Sequence, residues 1–297
     1  MKQVIITGAG GFVGSELTKK MLANNIEVIA VSMHFNASFP QSELITRIET
    51  DINDSNQLLE LIPEGQYEAF YHFAWAGVNG PEKADPLVQL DNAKMTLSCA
   101  WIAKQLGCKK FLCSGTVAEK GVESLPLLEK TSGGMLYGVA KHCTHIMLET
   151  YCKNIGLPFV WMQFSNIYGP QNKTGNLVSY TLGELLQGRE ATFGPAMQPY
   201  DFIYVDDLIE AVYRIGFCET RENCYLIGSG EPRILREYLI EIGHRCGKPE
   251  LVKLGVRPDD GIVYKMEMFD NSKLIADIGE YVKQSFTDNI VYTIEKY

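Results

Sequence analysis

Short apolar runs rich in β-branched residues alternate along the first half of the chain with longer stretches of helical periodicity. Val4-Ile5-Ile6 is one such run, ended by glycines, and reads as a buried strand. From about 14 to 24 the apolar positions Leu17, Met21 and Leu22 share one side of a helix. Glu27 to Val31 forms a second strand. Strand, tight turn, helix and strand make a βαβ unit with parallel strands and a right-handed crossover. The alternation continues with strands over 48–52, 69–74, 110–114 and 159–164 and helices over 55–61, 87–106 and 136–154. Repeated βα units predict an α/β fold with a doubly wound parallel sheet, the Rossmann arrangement. Beyond about Tyr168 the order is less regular, with Gly and Pro at 169, 170, 175, 194, 195 and 199. The predicted organisation is a dinucleotide-binding Rossmann domain over 1–167 and a smaller, mainly substrate-binding subdomain over 168–297. Segments near 202–207 and 224–227 are expected to return to the main body.

Composition narrows the function classes. The 297 residues suit one large α/β domain, and 46% apolar with 21% charged residues is ordinary for a globular protein. A formal net charge of -9 repels nucleic acid and anionic lipid, so neither is expected as a partner. The eight cysteines form no C-x-x-C pair, which argues against a zinc ribbon or a thioredoxin-type motif. They read as reduced and structural, which suits a cytoplasmic protein. No metal site is expected. The first residues look like a strand rather than a signal peptide, and no apolar run is long enough to span a bilayer.

The candidate chemistry begins in Thr7-Gly8-Ala9-Gly10-Gly11-Phe12-Val13-Gly14, a G-x-x-G-x-x-G spacing over Gly8, Gly11 and Gly14. Glycines before a helix N-terminus let backbone N–H groups approach a pyrophosphate, and the helix dipole favours the anion. The position between a strand and a helix at the start of a βαβ unit is the context a dinucleotide site requires. The second strand of such a unit commonly ends in an acid that bonds the adenosine ribose. Here Ser32 takes that place, followed by Met33 and His34. A hydroxyl does not repel a 2′-phosphate, so the absence of the acid tilts the cofactor toward NADP(H), with NAD(H) as the alternative. His34 is a candidate phosphate contact.

Tyr137 and Lys141 form a Y-x-x-x-K pair on a predicted helix, where residues four apart share a face. An ammonium beside a phenol favours the phenolate and is expected to lower the tyrosine pKa from about 10. Such a tyrosine exchanges a proton with a carbinol or carbonyl oxygen while a hydride moves to or from a nicotinamide.

Together these features identify a resemblance to the extended short-chain dehydrogenase/reductases, the NAD-dependent epimerase/dehydratase superfamily that modifies nucleotide sugars. The resemblance runs nearly end to end. Asp51-Ile52 resembles the stretch where an aspartate meets the adenine and the next backbone lines its pocket. His72-Phe73-Ala74-Trp75 resembles the H-x-A-A segment that passes the cofactor, with His72 read as structural. Ser114-Gly115-Thr116 leads to Gly121 as in the catalytic Ser/Thr segment, which implies Thr116 as the catalytic hydroxyl and Ser114 as a weaker candidate. Asn166, in Phe164-Ser165-Asn166-Ile167-Tyr168-Gly169-Pro170, matches an Asn that contacts the sugar nucleotide. Asn176-Leu177 resembles a pair that meets the substrate pyrophosphate, and Arg257 fits a late arginine that grips a substrate phosphate. The resemblance also implies a homodimer built on the helices at 87–106 and 136–154.

The departures are informative. Tyr200 replaces the arginine of R-D-F, and Lys120 replaces the usual tyrosine before Gly121. Val117-Ala118 follow Thr116 where the 4,6-dehydratases carry Asp-Glu and the uronic acid decarboxylases carry a Glu, which argues against both activities. The first reading is therefore an NADPH-dependent reductase of a 4-keto group on a nucleoside-diphosphate deoxysugar. The second is a nucleotide-sugar 4-epimerase with tightly held NAD. A non-catalytic dinucleotide-sensing regulator ranks last, because Tyr137 and Lys141 are both present.

Overall fold

The computed structural model describes residues 2–297 apart from Lys130, Gln171, Lys173, Thr174, Asp260 and Ile262. Six strands of the main sheet come in succession before residue 165: β1 (Gln3–Thr7), β2 (Glu27–Ser32), β3 (Ile45–Glu49), β4 (Tyr67–His72), β5 (Phe111–Thr116) and β6 (Phe159–Phe164). Four short strands follow outside it: β7 (Asn166–Tyr168), β8 (Ala191–Thr192), β9 (Pro199–Tyr200) and β10 (Phe202–Tyr204). β11 (Cys224–Ile227) then returns to the main sheet, whose order is β11-β6-β5-β4-β1-β2-β3 with every pair parallel. The strand order reverses between β1 and β4, and in such sheets the crevice beyond the carboxyl ends at that point receives the ligand.

The helices are α1 (Phe12–Ala23), α2 (Ser55–Leu61), α3 (Pro86–Gln105), α4 (Met135–Ile155), α5 (Leu177–Leu186), α6 (Val205–Phe217), α7 (Leu235–Arg245), α8 (Ser272–Ile278) and α9 (Phe286–Lys296). Alternating strand residues divide the core into two layers. Val4, Ile6, Val28 and Ala30 pack against Leu17 and Met21 of α1 and Leu208 and Val212 of α6. Ile5, Ile29 and Val31 pack on the other face with Cys99, Ala100 and Ile102 of α3 and Leu148 and Cys152 of α4. The remaining pairings, β7 with β10, β9 with β12 (Arg233–Ile234) and β8 with β13 (Val252–Lys253), lie in the C-terminal part. There Phe202, Tyr238 and Phe286 interlock at centroid distances of 4.7–5.6 Å, tying β10 to α7 and α9.

Two strands differ from the hydrophobic pattern. β3 runs over Ile45–Glu49 rather than 48–52, because it is an edge strand that buries only Ile48, so its inner half carries little apolar signal. Ile52 is buried beyond the strand, in the turn before α2, where Asp51 accepts the Asn53 amide and Asp54 caps the helix through Gln57 N. β4 starts at Tyr67 and ends at His72, after which Phe73 N still bonds Thr7 O at 3.0 Å. The segment at 202–204 joins β7 rather than the main sheet, and it leads directly into α6, which packs on α1. Among the described residues no helix is long and apolar enough to cross a membrane.

Candidate active site

The turn after β1 is built for close approach. Gly8 has φ +71°, and a Cβ there would stand 2.6 Å from Ala74 N, so the turn presses directly on the chain leaving β4. A Cβ at Gly14 would come 2.7 Å from Ala9 Cα, which sets how closely α1 follows the strand. Ala9 N bonds Val31 O at 3.1 Å and Gly11 N bonds Gly8 O at 3.0 Å, fixing the turn against β2. The N-cap of α1 is Gly11, with no side-chain cap and no acid in the first turn. The first amides of α1 and the positive end of its dipole are thus free of a competing carboxylate, which fits a pyrophosphate.

Ser32 and His34 adjoin this turn, since a Cβ at Gly10 would lie 2.7 Å from Ser32 Oγ. The Ser32 hydroxyl donates to His34 O at 3.0 Å, and His34 is exposed. Asp51 is also exposed, one residue past Thr50, whose amide bonds Ser32 O.

A cavity of about 630 Å³ opens from the glycine turn across the carboxyl ends of the strands. Of the residues singled out from the sequence, it brings together Gly8, Gly11, Phe12, Val13, Gly14, Phe73, Trp75, Thr116, Tyr137, Lys141, Asn166, Asn176 and Leu177. Ser32, His34, Asp51, Ile52 and Ala74 do not line it, and Arg257 lines a neighbouring cavity. His72 is buried between Thr7 Oγ1 (2.7 Å) and Thr96 Oγ1 (3.1 Å), and burial pushes its pKa down to about 3, as a structural histidine requires.

Thr116 ends β5 and Tyr137 and Lys141 stand one turn apart on α4. The Thr116 side chain and the Tyr137 phenol line the same cavity, and Thr116 favours the ionised form of that phenol. The electrostatics differ from the sequence expectation. Tyr137 is pushed above the ordinary phenol range, first by burial of its hydroxyl and then by the charge of Glu119, with Thr116 pulling it back. Lys141 does not set the balance, because its ammonium is turned to Ser114 O at 2.6 Å and lies 3.7 Å from the Trp75 ring centre. Burial brings Lys141 itself down to about 8, against the opposing pull of Cys113 and Glu119.

Other elements fix the walls. Gln89 of α3 accepts the Trp75 indole N–H at 2.9 Å and donates to Gly77 O and Glu82 O. Asn92 brackets Ala76, accepting its N–H and donating to its carbonyl at 2.8 Å each. This pinned loop carries Lys83, whose ammonium stands 5.3 Å from the Tyr137 ring centre. Opposite, Asn166 accepts the Tyr200 hydroxyl at 2.8 Å and donates to Asp201 O at 3.0 Å. Tyr200, which stands where the arginine was expected, therefore braces Asn166. Asn176 caps α5 through Ser179 N and donates to Ile167 O at 2.7 Å. Arg257 donates to Thr192 Oγ1 and Tyr180 Oη at 2.9 and 2.8 Å, on a cavity of about 450 Å³ that shares Gly175 and Leu177 with the main one.

A family model for the NAD dependent epimerase/dehydratase family matches residues 4–223. The chain belongs to that family. It is thereby an enzyme of the extended short-chain dehydrogenase/reductase superfamily. The matched span includes the glycine turn, Thr116, Tyr137 and Lys141 and ends just before β11. The UDP-glucose 4-epimerase of Mycolicibacterium smegmatis is 24% identical over 314 residues, covering 99% of this chain and 97% of its own. A UDP-glucose 4-epimerase structure from Thermotoga maritima, with UDP-glucose, superposes with TM-score 0.83 at 22% identity over 99% of this chain and 98% of that one. A dTDP-glucose 4,6-dehydratase structure from Bacillus anthracis, with NAD, gives TM-score 0.83 at 18% identity over 100% and 96%. At these identities the two structures show the family's fold in this chain.

Sequence reading did not reach several of this family member's site residues. Lys83 lines the cavity from the single 3-10 turn Pro81–Ala84 and Tyr200 from the two-residue strand β9, both too short to carry a periodic pattern. Glu119 has its partners Trp161 and Gln163 on another strand, out of reach of any local signal.

Proposed function

We propose that this enzyme reduces the 4-keto group of a nucleoside-diphosphate deoxysugar, with NADP(H) as the preferred dinucleotide. The observation that carries the reading is the chamber beyond Thr116 and Tyr137. It measures about 310 Å³, with Val117, Ala118, Val122, Leu125, Met135 and Phe269 on its apolar side and Lys83, Asn166 and Gln198 among its polar lining. The two positions after Thr116 thus offer no acid–base pair for removing water, while an apolar wall suits a methyl group in place of a hydroxymethyl. The nearest acid, Glu119, is buried under the site rather than lining it.

In this reading Thr116 donates a hydrogen bond to the sugar carbonyl oxygen and Tyr137 gives that oxygen its proton. The upward push on the Tyr137 phenol keeps it protonated, as a proton donor requires. Lys141 holds the cofactor ribose, and the free amides at the start of α1 hold the pyrophosphate. The bound nicotinamide supplies the hydride. Asn176 and Leu177 face the substrate diphosphate, and Arg257 in the adjoining cavity takes its phosphate or base end. Ser32 in place of an acid supports NADP(H). The C-terminal part over 168–297 supplies the substrate side, and the protein acts as a homodimer in the cytoplasm.

A nucleotide-sugar 4-epimerase with retained NAD is the second reading, favoured by the relatives and structures named for that activity. One experiment separates the two. The purified protein is assayed at 340 nm for NADPH consumption with dTDP-4-keto-6-deoxyglucose, and separately for conversion of UDP-glucose to UDP-galactose. Consumption that Tyr137→Phe lowers by ~10³-fold supports the reductase. Interconversion with NAD retained through purification, and no NADPH consumption, selects the epimerase.

A further inference from the structure

Proton transfer at Tyr137 makes no direct use of Glu119, yet this carboxylate is 2% exposed and stands directly under the reacting groups. Its Oε1 accepts the Thr116 amide at 2.7 Å, closing a capping box in which Thr116 Oγ1 accepts Ala118 N at 3.2 Å. The Trp161 indole N–H reaches both carboxylate oxygens at 3.0 Å, and Gln163 Nε2 donates to Oε2 at 2.9 Å. Gly115 makes room for this. A Cβ there would fall on the Trp161 indole nitrogen and lie 2.7 Å from Glu119 Oε1. Neutral donors alone hydrogen-bond this buried acid, whose pKa burial raises against the pull of Gln163, the Thr116 amide, Trp161 and Lys141, an expensive arrangement where a cap alone would need no carboxylate.

We propose that Glu119 is a positioning residue of the reductase site: it fixes the Thr116 backbone, and through Thr116 the Tyr137 phenol, while its negative charge offsets the Lys141 ammonium. The inference rests on the oxidoreductase reading of the cavity. The ionisable groups around Glu119 are Cys113 on β5, Lys120 in its own turn, Tyr137, Lys141 and His145 on α4, and Cys224 on β11. His145 Nδ1 is 3.8 Å from Oε2, but burial brings its pKa down to about 4, so it is neutral at neutral pH. Its ring instead stacks on Trp161 at 5.0 Å. Glu119 raises the pKa of both Lys141 and Tyr137. It therefore keeps the ammonium charged and the phenol protonated over the same pH range, which is what reduction requires.

Glu119→Gln separates charge from structure. The new amide keeps an oxygen for the Thr116 and Trp161 N–H groups. Gln163 Oε1, which is buried with no hydrogen-bond partner among the described residues, can accept the new N–H after a turn of its amide. Two readouts are compared for wild type, Glu119→Gln and Glu119→Ala across the alkaline range. One is NADPH consumption with dTDP-4-keto-6-deoxyglucose. The other is ionisation of the Tyr137 phenol by ultraviolet difference against Tyr137→Phe, which needs no substrate. In Glu119→Gln the alkaline limb of kcat and the phenol ionisation both move to lower pH by ~0.5 unit or more. Glu119→Ala further loses ~10-fold in kcat as Thr116 is freed. The proposal is overturned if Glu119→Gln changes kcat with both pH positions unmoved, if it does not fold, or if both variants behave as wild type. A wild-type protein that consumes no NADPH sinks the reductase reading, and the phenol titration still decides Glu119.

Discussion

The Lys141 ammonium lies 3.7 Å from the centre of the Trp75 ring and donates to the Ser114 carbonyl at 2.6 Å. A cation held by a π face and a carbonyl, without a bonded carboxylate, is poorly compensated for its lost hydration. Its pKa accordingly falls to about 8, with burial as the leading cause.

This predicts a trade between stability and activity. Because the folded-state pKa is depressed, the unfolded chain binds the proton more tightly. The cost of burying the charge is complete below pH 8 and fades as pH rises from about 8 toward the ordinary lysine value. Lys141→Met should therefore raise the melting temperature at neutral pH, by up to ~3 kcal/mol in stability, while abolishing activity. The gain over wild type should shrink as the pH is raised through that window, as thermal melts at several pH values would show. A Lys141→Met protein less stable than wild type at neutral pH would contradict the account.

Gly115 sits where β5 passes between Trp161 and Glu119, with no room for a methyl group. Gly115→Ala should cost ~2–3 kcal/mol as the indole is displaced. It should also lower kcat, because Thr116 is the next residue. Denaturant midpoints together with steady-state rates check both. An alanine variant of wild-type stability and rate would show that the Glu119 cluster has slack.

The fold was legible because each half of the signal is local. Val4-Ile5-Ile6 and the helix after Gly14 announce a βαβ unit within thirty residues, and the same alternation carries through Phe164. Edge strand β3 was misplaced because only Ile48 of its five residues is buried. The proposed trio rests on signals of the same short range: Tyr137 and Lys141 are one helical turn apart, and Thr116 stands out through the resemblance of the segment that leads to Gly121. What escaped depends on long-range pairing. The direction of the Tyr137 shift required knowing that the Lys141 ammonium bonds Ser114 O on β5 and faces Trp75 beyond β4. The brace of Tyr200 on Asn166 joins residues 34 apart, and no periodicity reports it.

The proposed preference for NADP(H) rests on Ser32, whose hydroxyl donates to His34 O beside the glycine turn. Ser32→Asp places a carboxylate where a 2′-phosphate would lie. It should weaken NADPH binding by ~10-fold or more while leaving NADH binding unchanged or improved. Ser32→Ala removes the bond to His34 without adding charge and controls for a shift of the turn. Titration of each variant with both dinucleotides, followed by tryptophan quenching, gives the comparison. Tighter binding of NADH than NADPH to the wild type would reverse the assignment.

The last prediction concerns the outer face of α3 and α4, which pack side by side. Leu97 and Trp101 on α3 and Ile146, Met147 and Tyr151 on α4 form one shallow apolar groove, with Ile146 52% and Met147 42% exposed. Along α3 the stripe continues through the exposed Leu87 and Leu90. Two helices presenting apolar residues three and four apart suit a second copy related by a two-fold axis, whose own pair would complete a four-helix contact. Light scattering should give a dimer for the wild type, and Ile146→Glu should shift it to monomer by burying a charge against an apolar partner. A distant control such as Glu64→Lys should leave the dimer intact. Since Tyr137 and Lys141 lie on the same helix, dissociation is expected to lower activity by loosening α4. A wild type that is monomeric at micromolar concentration would remove this face from the account.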